Sequence, residues 1–146
     1  MGYLRWIPIL VLLVLAGCKG GGGLDDPAVD ATGDWQIRMV DTTQTITGGI
    51  MEFAKTGSNT WEAPWDDAWT EFYVELTVSG SDFTLKWVSE WTEGDNTECR
   101  SSTIITGTIT QNEMTGNGTE KSEILSGPNP GMETGTVQLT FTADRL

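Results

Sequence analysis

The sequence predicts an all-β domain of about eight antiparallel strands that close into an up-and-down barrel. Short runs of alternating apolar and polar residues recur at regular spacing after residue 32, with turn-forming residues between them. No segment has the 3.6-residue periodicity of an amphipathic helix. A meander of hairpins must cover its apolar face and its two edges, and barrel closure does both. A two-sheet β-sandwich is the alternative.

The first two strands are defined by their apolar faces. Trp35, Ile37 and Met39 share one face of the first strand. The second runs from Thr45 to Lys55 and contains the pair Gly48-Gly49, where the apolar face shifts from one parity to the other. Such a shift predicts a bulge or a sharp bend, as at a barrel corner.

The middle of the chain contains the strongest hairpin signal. Residues 59–69 are irregular and are expected to form a short strand followed by a loop. Two alternating runs then flank the turn sequence of residues 79–82, which predicts a hairpin. The apolar positions of these two runs are Phe72, Val74, Leu76, Val78, Phe83, Leu85, Trp87 and Trp91.

The remaining strands are rich in threonine. Residues 97–110 place Cys99, Thr103, Ile105, Gly107 and Ile109 on one parity. A turn leads into residues 114–120, and a loop with two prolines follows at residues 126–131. The last strand covers residues 136–142, which brings the total to about eight.

The N-terminus has the features of a secretory signal. Arg5 precedes an apolar run from Ile7 to Leu15, and two small residues follow. This run is about half as long as the roughly 20 residues that a transmembrane helix requires. The segment ends in Leu15-Ala16-Gly17-Cys18, which matches the lipobox of bacterial lipoproteins residue for residue.

The resemblance to bacterial lipoproteins implies cleavage before Cys18 and acylation of its thiol. Two or three acyl chains anchor a protein stably, whereas one chain is marginal. The expected location is the bacterial cell envelope, with the membrane as partner through acylated Cys18. Lys19 stands where aspartate retains such proteins at the inner membrane, so the resemblance implies the outer membrane in a host with two membranes.

The expected domain organisation has three parts. Residues 1–17 form the signal peptide. Residues 18–32 form a flexible tether that begins at the lipidated cysteine and contains four consecutive glycines. Residues 33–146 form the barrel domain, which is long enough for one hydrophobic core.

The start and the end of this domain resemble those of lipocalins. Gly33-Asp34-Trp35 is similar to their Gly-x-Trp signature, and Arg145 occupies the place of their basic residue after the last strand. The resemblance implies that Trp35 closes one barrel end beneath Arg145, a cation–π contact worth about 0.5–2 kcal/mol. The Thr-Asp-Tyr motif and the C-terminal helix of full lipocalins are missing.

Composition argues against nucleic-acid binding. The chain has 8 Lys and Arg against 21 Asp and Glu. Removal of the signal takes Arg5 away and leaves 7 basic against 21 acidic side chains, a net charge of −14. Phosphate backbones repel such a chain.

The residues also indicate a protein without catalytic activity. The sequence contains no histidine, which excludes the Ser-His-Asp and Cys-His nucleophile systems. Asp66-Asp67 and the pair Glu93 and Asp95 are interpreted as solvated loop acids, with a carboxylate-based hydrolase as a remote alternative. Cys99 has no partner for a disulfide and is expected to be a buried, inert thiol. No metal or cofactor is expected.

Five tryptophans are the candidate ligand-binding residues. Indole rings at a barrel mouth suit a small apolar ligand, and filling of the core is the alternative. The first hypothesis is therefore a binding module with a small apolar ligand. The second is a structural or interaction lipoprotein with a filled barrel and an acidic protein-binding surface. The five residues are Trp61, Trp65, Trp69, Trp87 and Trp91.

The lipobox generates the first testable prediction. Replacement Cys18→Ser removes the thiol that would carry the acyl group, so the protein should lose its acyl chains and leave the membrane fraction. Mass spectrometry of the N-terminal peptide and membrane fractionation measure both effects. The matched control Cys99→Ser should remain acylated, and acylation of the Cys18→Ser variant would contradict the anchor.

Overall fold

The computed structural model describes residues 29–63, 66–67 and 70–146, with the backbone alone at residues 66–67 and 70–72. This part of the chain contains nine strands and no helix. Among these residues, no helix is long and apolar enough to cross a membrane. The strands are β1 (Gly33–Asp41), β2 (Ile46–Lys55), β3 (Thr60–Glu62), β4 (Asp66–Asp67), β5 (Thr70–Ser79), β6 (Asp82–Thr92), β7 (Glu98–Ile109), β8 (Glu113–Ser126) and β9 (Glu133–Arg145).

The strands form a closed ring. They pair in the order β3-β2-β1-β9-β8-β7-β6-β5-β4, and a further pairing between β3 and β5 closes the sheet on itself. Eight strands make up the ring, because the two-residue β4 pairs only with β5. The described residues therefore form an eight-stranded antiparallel barrel consistent with a lipocalin-like fold, which confirms the predicted fold class. The alternative of a two-sheet sandwich is wrong.

The barrel has two distinct ends. We call the end at which β1 begins and β9 finishes the Arg145 end; here the two-residue turn 80–81 joins β5 to β6. We call the opposite end the loop end. It carries the connections 42–45, 93–97 and 127–132, so most of the longer connections lie there.

Inward-facing side chains form one hydrophobic core. Alternate residues of a strand point to opposite faces, so every second residue of each strand enters the barrel. The cluster also includes residues that precede β1, namely Val29 and Ala31. The largest fully buried members are Trp35, Trp61, Phe53, Phe141, Ile37, Met51, Leu76, Leu85, Ile105, Ile109, Met114 and Val74.

Two details differ from the sequence-based expectations. The pairing of β1 with β2 runs without a register shift through Gly48 and Gly49, so the expected bulge is absent there. Ile46 and Ile50 both face outward and are exposed, which means that the inner parity never changes. Val29 and Ala31, which belong to the range 18–32 predicted to form the tether, are buried in the core.

Glycines allow β7 and β8 to approach each other closely. An added Cβ at Gly107, Gly116 or Gly118 would lie 2.0, 2.5 or 2.4 Å from a carbonyl oxygen of the paired strand. At Gly118 it would also lie 2.7 Å from Cγ1 of Ile105. No side chain fits such distances, so these glycines are required by close approach of the backbones.

Replacement Gly118→Ala should destabilise the barrel by about 1–3 kcal/mol, because the methyl group overlaps backbone atoms that cannot move independently. Urea unfolding followed by circular dichroism measures the change. The control Gly135→Ala lies on the adjacent strand, where an added Cβ meets nothing within 4 Å. It should change the free energy of unfolding by less than about 0.5 kcal/mol. Equal unfolding midpoints for the two variants would contradict the steric role.

Candidate functional site

The inner wall of the barrel changes along β6. Phe83, Leu85, Trp87, Ser89 and Trp91 point inward by strand alternation. The first two, toward the Arg145 end, are buried, whereas the other three are partly exposed. Solvent therefore reaches the inner wall at the loop end. Trp87 packs against the core at the boundary between the buried and the solvent-exposed parts of the inner wall.

Polar side chains lie beside these indoles. Trp87 is opposite Thr103 of β7, and Thr103 is opposite Glu120 of β8. Glu120 is in turn opposite Val137 of β9. One step closer to the loop end, three serines on β6, β7 and β8 oppose one another. We call this set the polar wall; it consists of Ser89, Ser101, Thr103, Glu120 and Ser122.

A hydrogen bond within the polar wall orients its carboxylate. Ser101 Oγ donates to Glu120 Oε1 at 2.6 Å, and only 7% of Ser101 is exposed. Because Ser101 faces inward and is buried, the carboxylate that it contacts belongs to the inner wall as well. Within the described part of the chain, no lysine or arginine lies within ion-pair distance of Glu120.

The basic residues near the loop end are engaged on the outer surface. Arg100 Nε donates to Glu90 at 2.7 Å, and its Nη1 lies 3.6 Å from Glu123. Lys121 is 3.9 Å from Glu133. Glu90 raises the pKa of Arg100 by hydrogen bonding and by its charge. Arg100 and Lys121 therefore do not neutralise the Glu120 carboxylate of the polar wall.

The Arg145 end contains the pair that the sequence analysis expected to touch. The Arg145 guanidinium carbon lies 4.7 Å from the ring centroid of Trp35, which is completely buried. The indole N–H of Trp35 donates to the carbonyl oxygen of Ala31 at 2.9 Å. An arginine over an indole face contributes about 0.5–2 kcal/mol.

Asp30 ties the segment before β1 to this end. Its Oδ1 accepts from the hydroxyl of Thr32 at 2.7 Å and from the indole N–H of Trp61 at 3.2 Å. Its backbone carbonyl accepts from Arg145. Hydrogen bonds from Thr32, and a weaker one from Trp61, lower the pKa of Asp30 below its ordinary value.

Trp61 is in the core and not at a binding mouth. It is completely buried, donates to Asp30 and Thr32, and has the Lys55 ammonium 5.3 Å from its ring centroid. Its burial does not favour the predicted role in ligand binding, since its indole holds the Arg145 end together. Trp65 and Trp69 lie outside the described residues, whereas Trp87 and Trp91 are partly exposed.

Cys99 and the nearby acids have structural surroundings. Cys99 is buried, as expected, with its Sγ 3.9 Å from Glu93. Burial first, and the Glu93 carboxylate next, raise the pKa of the Cys99 thiol, which keeps it protonated. Asp95 accepts from the Thr97 N–H in the turn. Across the described ranges, no three His, Cys, Asp or Glu side chains group as a metal site.

The polar wall is the part of the site that the sequence analysis did not identify. The sequence contains a signal for it, because Glu120 and Ser122 continue the alternation of Met114, Gly116 and Gly118 and so belong to the same face of the strand. The apolar pattern predicts that this strand ends at residue 120, whereas β8 extends to Ser126. A carboxylate that follows an apolar series is typical of a strand end, although Glu120 lies within β8 and faces inward.

Comparison with known proteins supports the fold only. No protein-family model and no curated protein matches this sequence. A solved structure of EF1p2_mFAP2b bound to DFHBI is similar, with a TM-score of 0.50 and 18% sequence identity. The similarity covers 79% of this chain and 93% of that chain. At this level of identity the likeness concerns the barrel and not the residues that line it.

Acid should weaken the Arg145 end through Asp30. Because its pKa is lower when folded, its carboxylate stabilises the barrel fully above the ordinary value of 3.8, and this contribution disappears as the pH falls through the lower folded-state pKa. The free energy of unfolding should therefore differ between the wild type and Asp30→Asn at about pH 6, and the difference should shrink as the pH falls below 3.8. Urea titrations at each pH measure the difference. Parallel pH curves for the two proteins would contradict this role.

Proposed function

We propose that this protein is a lipid-anchored envelope lipoprotein whose barrel binds a small apolar ligand at the loop end and catalyses no reaction. The observation that carries the binding proposal is the partial exposure of Trp87 and Trp91 on the inner wall. An indole inside a barrel that solvent can reach offers a flat apolar surface whose water a ligand can displace. The lipid anchor rests on the lipobox at Cys18, which lies outside the described residues.

The fold supports ligand binding in general terms. An eight-stranded barrel has an interior that side chains can fill or that can hold one small molecule. EF1p2_mFAP2b, which shares the fold, has been solved bound to DFHBI. In this chain the buried core near the Arg145 end supplies a floor, because Leu85 and Ile105 beneath Trp87 are fully buried.

The absence of catalysis is proposed from the residues themselves. The sequence has no histidine, and the buried Cys99 thiol is held in its protonated form. Of the acid pairs considered for hydrolysis, Asp95 is engaged in a turn and Glu93 faces Cys99.

A structural or interaction lipoprotein is the second candidate. The filled half of the barrel favours it, because twelve large side chains there and in the adjoining core are fully buried. On this view, the acidic surface would contact envelope proteins, and the exposed indoles would merely complete the packing.

Titration with neutral apolar molecules separates the two candidates. We expect naphthalene-sized ligands and long-chain alcohols to shift the intrinsic tryptophan fluorescence in a saturable way, since Trp87 and Trp91 would be covered. Trp87→Leu should weaken the affinity about tenfold by removing an aromatic contact. The control Ile104→Ser changes an exposed residue of the outer surface and should bind normally. If no ligand of this set binds, the filled-barrel candidate is favoured instead.

A further inference from the structure

The inner wall at the loop end combines aromatic surface with the carboxylate of Glu120, which has no lysine or arginine of the described residues within ion-pair distance. We propose that the site selects planar ligands that carry a positive charge, with Glu120 as the counter-charge and Trp87 and Trp91 as the aromatic surfaces. This inference rests on the proposed ligand binding and specifies the chemical class of the ligand.

The spacing of the strands fits a single ring system. Trp87 and Glu120 share one row across the sheet, separated only by Thr103 on β7. Two inter-strand spacings place their Cα atoms about 10 Å apart. Side chains that project into the barrel shorten this gap. A bicyclic aromatic molecule can therefore contact the indole while a cationic substituent reaches the carboxylate.

The two tryptophans mark different depths in the barrel. Trp91 lies four residues after Trp87 on the same face of β6, which separates the two Cα atoms by about 13 Å. Trp87 packs against the core, whereas Trp91 is at the end of the strand near the loop end. Cations bind favourably over indole faces, so the outer tryptophan also favours a charged ligand during its approach.

The carboxylate of Glu120 favours cationic ligands over neutral and anionic ones. Among the described residues, Ser101 provides its hydrogen bond at Oε1, which leaves Oε2 free to accept from a ligand. A neutral ligand that covered this carboxylate would remove its water without compensation, which is costly. An anionic ligand would also be repelled by a chain with a net charge of −13. A cation compensates for the lost water and forms a charge-assisted hydrogen bond.

Three probes with the same ring test the proposal. These are naphthylmethylamine, naphthalenemethanol and naphthoate, which are cationic, neutral and anionic at neutral pH. Isothermal titration calorimetry of the purified protein should show that the amine binds at least about tenfold more tightly than the alcohol. Naphthoate should bind most weakly. Added salt should weaken the amine more than the alcohol.

Variants assign the selectivity to Glu120. Glu120→Gln should reduce amine affinity about tenfold and leave the alcohol within about threefold. Ser101→Ala keeps the charge but removes the hydroxyl that orients it, and it should weaken amine binding by a smaller factor. The control Glu113→Gln removes an exposed carboxylate from the other end of β8 and should bind all three probes normally. Circular dichroism verifies that each variant is folded.

The outcomes separate this inference from the proposed function. Equal affinities for amine and alcohol, or an amine preference that persists in Glu120→Gln, would overturn charge selection while ligand binding stands. Binding of the neutral molecules alone would do the same. Failure of every probe and of every apolar ligand to bind would overturn both.

Discussion

The barrel depends on closure through its shortest ring strand. β3 offers three residues to β5 and two to β2, yet without these pairs the sheet would have two exposed edges. Trp61, at the centre of β3, secures this narrow connection. Burial of its indole removes about 200 Å² from water, worth about 5 kcal/mol, and its N–H donates to Asp30. One side chain thus joins the closing strand to the segment that precedes the first strand.

The two halves of the barrel differ in polarity, and this difference matches the proposed separation of stability from ligand binding. The Arg145 end is packed with apolar side chains, and Trp35 lies buried beneath Arg145. The described residues contain no disulfide, so this packing has to stabilise the barrel. The loop end can then carry serines, Thr103 and an inward carboxylate, which would destabilise a core but are suitable groups for contacting a ligand.

Most of the fold could be predicted from the sequence, because the alternation of apolar and polar residues shows which face of each strand points inward. The contact between Trp35 and Arg145 could also be predicted, from the motif at each end of the domain. The contacts made through long-range strand pairing could not be predicted from the local pattern. The burial of Trp61 depends on Asp30, which lies 31 residues away, and nothing local reveals that contact. Glu120 was overlooked because its neighbours Ser101 and Thr103 are brought beside it only by barrel pairing.

The packing of residues 29–32 determines which end of the barrel would lie nearer the membrane. These residues are held at the Arg145 end, so the chain that leads back to Cys18 leaves from there. Ten residues lie between Cys18 and Val29, so this segment reaches at most about 40 Å when fully extended. With acyl chains on Cys18, the Arg145 end would be the proximal side and the loop end would be free to face away from the bilayer. Ligand exchange would then take place with the aqueous compartment and not with the lipid.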